Sequence, residues 1–174
     1  MTSLDNRVLD FFVDHRVGWL TDTLRVVSEV LGLGGLGVLS VILMGVLVRR
    51  GESRDALFVG ASMVSGWLLM SLLKLVFGRA RPPMPERMTD ETTFSFPSGH
   101  AMVSAVLATV VIVLALRHQF RGRALVVGAA ACASSVDGIS RLYLGAHWLT
   151  DVVAGWIIGA AWVLVWVWLL RQKA

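Results

Sequence analysis

Apolar residues fall along this chain in five long runs, at residues 31–48, 56–77, 101–116, 124–139 and 149–170, parted by short charged stretches. A helix needs about 20 predominantly apolar residues to cross a bilayer, and these runs approach that length. Ahead of them the pattern changes. Residues 4–15 set Leu4, Val8, Leu9, Phe11 and Phe12 among Asp5, Arg7, Asp10 and Asp14, and residues 17–30 set Trp19, Leu20, Leu24, Val27 and Val30 among Asp22, Arg25 and Glu29. The first segment is too charged to span and predicts amphipathic helix lying in the interface; residues 17–30 read as interfacial too, or as a partly immersed lead-in, and are the alternative for a sixth span. The expected architecture is an all-α integral membrane helical bundle of five to six spans. Residues 1–30 form its amphipathic N-terminal segment, residues 31–174 the bundle, and 1–174 a single domain.

Composition supports the membrane assignment, since 56% of the residues are hydrophobic and the mean hydropathy is +0.71, above the soluble range. A net charge of +4 could suit a nucleic-acid binder, but the Lys and Arg residues cluster between the apolar runs, so no nucleic-acid partner is expected. Cys132 is the only cysteine, which excludes an intrachain disulfide, and its Ala-rich surroundings predict a small packed core residue. Met1 to Asp14 lacks the basic-then-apolar order of a cleavable signal, so the spans themselves are expected to target the protein.

Gly155 and Gly159 stand at GxxxG spacing, Gly32, Gly34, Gly35 and Gly37 invite close helix contact or fraying, and Trp162, Trp166 and Trp168 read as an aromatic belt. Arg49, Arg50 and Arg54 follow the first run, Arg117, Arg121 and Arg123 the third, and Arg171 and Lys173 the fifth. By the positive-inside rule those clusters are cytoplasmic. The loops after the second and fourth runs then face the extracytoplasmic side, where Phe11, Phe12 and Trp19 would border a lateral entrance for a lipid tail.

Those two loops hold the candidate chemistry. Lys74, Arg79 and Arg81-Pro82 close the second run; long cations snorkel at membrane edges, yet here they place positive charge where the rule disfavours it, which asks for an anionic partner. Phe96-Pro97-Ser98-Gly99-His100 opens the third run, with Pro97 suited to a first helical position, free amides at Ser98 and Gly99 forming an anion site, and His100 one turn in. Alone, that stretch reads more readily as a helix stop and start, with His100 a polar residue at the membrane surface. The fourth loop carries Ser140-Arg141 and then His147 and Asp151, which would share a helix face if the last span began near His147, the carboxylate orienting the ring and the other nitrogen free to attack. Asp137, four residues before Arg141, could hold that guanidinium in place or simply point to water.

Together these residues offer clamps for phosphoryl oxygens, a nucleophile and an acid, the needs of phosphoryl transfer without a metal. The cations outnumber the carboxylates and histidines, so neither a metal nor another cofactor is expected. The set resembles the type-2 phosphatidic acid phosphatases, whose site is shared with vanadium haloperoxidases and bacterial acid phosphatases. Lys74 to Arg81-Pro82 matches the family's Lys-x6-Arg-Pro, Pro97 to His100 its Pro-Ser-Gly-His, and Ser140 to Asp151 its Ser-Arg-x5-His-x3-Asp. The resemblance implies that His147 is a nucleophile forming a phosphohistidine, that Asp151 orients it, that His100 protonates the leaving oxygen, and that Lys74, Arg81, Ser98, Gly99 and Arg141 bind phosphate. It implies a membrane phosphatase acting on a lipid phosphate or diphosphate, with polyprenyl diphosphate, phosphatidylglycerol phosphate and phosphatidic acid all compatible and no oligomeric state specified. A phosphotransferase passing the group to a sugar or lipid hydroxyl is the near alternative, and a non-enzymatic membrane scaffold or transport subunit the remote one. The loop from Pro83 to Phe96 is short, leaving little material for a lid or headgroup pocket.

Overall fold

The computed structural model describes residues 2–172 and, among them, seven helices: α1 Ser3–Asp14, α2 Gly18–Val30, α3 Leu33–Arg49, α4 Ser53–Phe77, α5 Gly99–His118, α6 Arg123–Tyr143 and α7 Leu149–Arg171. Helices α4 to α7 are each long and apolar enough to cross a bilayer, and α2 and α3, bent by 46° at Leu31-Gly32, read together as a fifth, broken span. Residues 18–30 therefore form no sixth span. Thirteen residues rise only about 20 Å at 1.5 Å each, short of the bilayer core.

Helix α5 is apolar on all sides and lies at the centre, as its composition requires. Ala101, Met102, Val103, Val106 and Val110 are buried there against α3, α4, α6 and α7. The Gly155 and Gly159 pair seats α7 on it: a Cβ at Gly155 would stand 3.0 Å from the Ser98 carbonyl, and one at Gly159 would strike the Met102 carbonyl. Close backbone approach is what small residues at this spacing permit. Trp162 and Trp166 both donate through Nε1 to the Ser65 hydroxyl at 2.9 Å, stapling α7 to α4, so of the three expected belt residues only Trp168 is exposed to lipid. Cys132 is likewise exposed on α6 and not a core residue.

The six loops and breaks between the helices sort to two ends. Arg49, Arg50, Arg54, Arg117, Arg121, Arg123 and Arg171 share one end, where Asp55 pairs with Arg117 at 3.3 Å and His118 at 2.8 Å; Lys173 lies outside the described residues. The other end collects the starts of α3, α5 and α7, the ends of α4 and α6, and helices α1 and α2. The N-terminal segment is fastened there. Arg16 donates to the Tyr143 carbonyl at 3.0 Å and the Glu86 carbonyl at 2.6 Å, and the Val17 amide donates to the Tyr143 hydroxyl at 2.8 Å. Phe12 packs on Tyr143, whereas Phe11 stacks on His15 and Trp19 is 72% exposed.

Candidate active site

Each motif meets the others at that second end, though not in the local conformations expected. Helix α4 keeps Lys74 in its last turn and stops at Gly78, whose φ of 53° is the left-handed cap that glycine accepts without strain. Helix α5 begins at Gly99, not Pro97. Ser98 is its N-cap, its hydroxyl accepting from the Ala101 amide at 3.4 Å, and His100 stands in the first turn. The Ser98 amide donates to the Asp151 carbonyl at 3.0 Å, so of the two amides expected to face an anion only that of Gly99 remains, joined by that of His100. Helix α6 runs to Tyr143, so Ser140 and Arg141 are helical; α7 starts at Leu149, so His147 precedes the helix and shares no helical face with Asp151.

His147 is nevertheless fixed in a definite tautomer by its surroundings. Arg81 Nη1 donates to Nε2 at 3.0 Å, which leaves the ring proton on Nδ1. Nδ1 lies 3.6 Å from Asp151 Oδ2 and 3.4 Å from the Ser95 hydroxyl, which itself donates to that oxygen at 2.5 Å. The link from imidazole to carboxylate therefore includes Ser95. Asp151 Oδ2 also accepts from the Trp148 amide at 3.0 Å, while Oδ1 accepts from Arg79 at 2.5 Å. Burial pushes His147 down to about 3; the bond toward Asp151 opposes this, and Arg81, Arg141 and Lys74 reinforce it. The ring is neutral at ordinary pH, as an attacking nitrogen must be.

A cavity of about 540 Å³ brings His147 together with Lys74, Arg81, Gly99 and His100. Its outer wall is Leu33 from α3 and Trp67 and Leu75 from α4, all exposed on the bundle surface, so it opens toward lipid between those helices and away from Phe11, Phe12 and Trp19. Arg141 lines an adjoining polar cavity of about 430 Å³ with Arg25, Ser28, Glu29 and Asp90, and the two cavities share Glu91 and His100. Glu91 bridges two of the cations expected to bind phosphate: its carboxylate accepts from Arg141 Nη2 and stands 3.6 Å from Arg81 Nη2. Ser28 serves both walls, its hydroxyl accepting from Arg141 at 2.7 Å and its carbonyl from His100 Nε2 at 3.3 Å. Gly32 permits the α2–α3 bend beside the ring, since a Cβ there would lie 2.9 Å from the Ser28 carbonyl, 3.1 Å from the Glu29 carbonyl and 3.3 Å from His100 Nε2.

Asp137 is buried, but among the described residues it forms no ion pair with Arg141; both its oxygens and Arg141 Nε lack hydrogen-bond partners. The long guanidinium reaches past it to Ser28 and Glu91. The 83–96 loop, expected to be too short for a lid or pocket, supplies much of the site: Lys74 donates to the Phe94 carbonyl, Arg81 to the Thr93 carbonyl at 2.7 Å, and Glu91 and Ser95 act as described. Sequence reasoning missed Ser28, Glu91, Ser95 and the second carboxylate on Arg79, which is Asp5. A signal existed only for Arg79, as a cation unexplained by topology.

The helices of a membrane bundle here bring a histidine, a carboxylate and a cluster of cations to one cavity, a set suited to phosphoryl transfer. A family model for the PAP2 superfamily matches residues 55–174, and the chain belongs to that superfamily of membrane lipid phosphatases. It is 29% identical over 160 residues to phosphatidylglycerophosphatase B of Bacillus subtilis, covering 90% of this chain and 78% of the relative. It is also 29% identical over 152 residues to decaprenylphosphoryl-5-phosphoribose phosphatase of Mycolicibacterium smegmatis, covering 86% and 68%. The crystal structure of the transmembrane PAP2-type phosphatidylglycerolphosphate phosphatase of Bacillus subtilis superimposes with a TM-score of 0.86 at 28% identity, over 98% of this chain and 86% of that one.

Proposed function

We propose that this protein removes the terminal phosphate of a lipid phosphate or diphosphate through a phosphohistidine at His147, with no metal ion. The observation that carries the reading is the His147 tautomer: Nε2 is unprotonated and held at 3.0 Å from the Arg81 guanidinium, at the wall of a cavity that opens toward lipid. The lipid slides in between α3 and α4, and its phosphoryl oxygens meet Lys74, Arg81, Arg141 and the first-turn amides of α5. Nε2 attacks phosphorus as the bond to the leaving oxygen breaks. His100, held through Nε2 by the Ser28 carbonyl, gives that oxygen a proton. Asp151, through Ser95 and directly, supports the positive charge that develops on the His147 ring. His100 then takes a proton from water as the water oxygen bonds phosphorus and the P–N bond breaks.

Metal independence is supported by the preponderance of cations around His147. Among the described residues, the one group whose ligand atoms lie close enough to share a metal ion is Glu52, Asp55 and His118, at the opposite end of the bundle. The arginine-rich end is cytoplasmic in this reading, and the site opens near the headgroups of the outer leaflet. The relatives' names cover different lipids, so the family alone selects none. The test is phosphate release from a panel of lipid phosphates in detergent: the wild type should release inorganic phosphate, and His147→Ala should release none. A phosphorylated acceptor in place of free phosphate would establish the transferase instead, and full activity in the variant would overturn the nucleophile.

A further inference from the structure

The N-terminal helix places a second carboxylate behind the catalytic pair. Asp5 is only 1% exposed, although it belongs to an amphipathic helix whose Asp10 and Asp14 are not buried. Its Oδ2 accepts from Arg79 Nη2 at 2.8 Å, and its Oδ1 accepts from the Thr150 amide at 3.0 Å, an orphan donor in the first turn of α7. Arg79 is only 21% exposed and uses its other nitrogen, Nη1, on Asp151 Oδ1 at 2.5 Å and on the Thr150 hydroxyl at 2.6 Å. The Thr150 hydroxyl in turn donates to Asp5 at 2.9 Å. The guanidinium fork is thus spent on two carboxylates, one brought from each end of the chain.

We propose that Asp5 and Arg79 are positioning residues for the His147–Asp151 pair, which makes the N-terminal helix α1 a working part of the active site. The proposal rests on the phosphohistidine reading. Two physical consequences support it. Arg79 occupies Asp151 Oδ1, so the carboxylate can turn only one oxygen, Oδ2, toward Ser95 and His147 Nδ1. Without that hold Oδ1 loses this donor, and only the Trp148 amide and Ser95, both on Oδ2, keep the carboxylate in place. The charges also matter: one guanidinium between two carboxylates leaves the group one negative charge in excess, facing the ring on which positive charge grows as Nε2 bonds phosphorus. Removing Arg79 leaves two buried carboxylates facing each other without a counter-charge. Asp5 lies outside the stretch matched by the family model, residues 55–174, whereas Arg79 lies within it.

The test is a cycle of Asp5→Asn, Arg79→Met and the double variant, with kcat and KM measured on a short-chain lipid phosphate in detergent and folding followed by thermal melting. Asp5→Asn should lower kcat about tenfold, the usual scale for loss of a supporting partner, with KM within about twofold because Lys74, Arg81 and Arg141 are untouched. Arg79→Met should lose more. Adding Asp5→Asn to Arg79→Met should then raise kcat above that of Arg79→Met alone, because neutralising one of the two facing carboxylates relieves their repulsion. Vanadate, which needs the oriented nitrogen, should inhibit the single variants more weakly, whereas inorganic phosphate should inhibit them as it does the wild type. A double variant whose loss is the product of the single losses, or a KM that rises while kcat stays constant, would overturn the proposal. Should Arg79→Met not fold, Arg79→Lys takes its place, since an ammonium reaches one carboxylate and not both, and the same recovery is expected. Activity surviving in His147→Ala would defeat the phosphohistidine reading by itself; its loss there, with no recovery in the double variant, would defeat the positioning proposal alone.

Discussion

Glu91→Gln should make the site bind phosphate more tightly. In the structure the Glu91 carboxylate sits on Arg141 and 3.6 Å from Arg81 Nη2, where it neutralises the cations proposed to hold the phosphoryl group, and its side chain is 29% exposed. Burial pushes this carboxyl up, but Arg141 and Arg81 overcome that and hold it below the ordinary range, so it carries its charge at any assay pH near neutrality. A phosphate on the same two guanidinium groups must either stand beside that charge or displace it. Two unit charges 4 Å apart repel by about 4 kcal/mol at an effective dielectric constant of 20. Partial exposure and movement of the 83–96 loop reduce this, and a surviving third, about 1.4 kcal/mol, corresponds to tenfold in affinity. Glutamine keeps the shape and removes the charge. The inhibition constant for inorganic phosphate and the KM for lipid phosphate should each fall about tenfold, with kcat equal or lower as the product phosphate leaves more slowly. A phosphate inhibition constant that stays constant or rises would refute the reasoning and make Glu91 a support that the two arginines need in order to stand correctly.

Four further outcomes are expected. His100→Ala should be rescued, relative to wild type, by an aryl phosphate whose leaving group needs no proton, and His147→Ala should not; equal losses on both substrates would contradict the assignment. With His147 near 3, the acid limb of kcat/KM should follow the second ionisation of the substrate phosphate, at about pH 6 for an ordinary monoester, and move when an ester of different acidity is used. Stability should fall with acid in two windows. His147 lies below its ordinary 6.5, so the unfolded chain takes up its proton first and stability declines from pH 6.5 toward 3; Asp5 lies at about 2, below its ordinary 3.8, so its contribution is present above 3.8 and lost as pH falls toward 2. In a Cys132→Ser background, cysteine at Glu86 should react with a membrane-impermeant thiol reagent in intact cells and cysteine at Gln119 should not, and the reverse pattern would invert the topology.

The motif residues were legible because their spacing along the chain is itself the signal, and the spans because a helix in lipid must be apolar over a fixed length. What spacing could not give was the conformation between motif members. The expectation that His147 and Asp151 share a helix face assumed a span beginning at His147; the helix begins two residues later, and Asp151 reaches the ring by folding back over its own N-terminus, with the Trp148 amide and Ser95 as intermediaries. The Asp137–Arg141 pairing failed for a related reason. An i,i+4 spacing brings two side chains to one helix face, but a long guanidinium goes where its donors find the most acceptors, and α2 and the 83–96 loop offered Ser28 and Glu91.

Asp5 shows why the remainder was hidden. It had a sufficient local explanation, since it completes a capping box with Thr2 at the start of α1, and three aspartates on one short amphipathic helix look like a solvated face. Only docking of α1 against the start of α7 separates this carboxylate from Asp10 and Asp14. That docking is in turn secured by Arg16 and the Tyr143 hydroxyl, contacts between residues more than a hundred positions apart that no periodicity announces. Charge at the two ends of the bundle therefore has different meanings. At the arginine-rich end it is positional in the proposed orientation, where the positive-inside rule sets which way the chain lies across the bilayer. At the other end Lys74, Arg79, Arg81 and Arg141 each have a carboxylate, carbonyl or imidazole partner, and in the proposed reaction an incoming phosphoryl group must compete with Glu91 for Arg81 and Arg141, while Arg79, already shared by Asp5 and Asp151, takes no part in that competition.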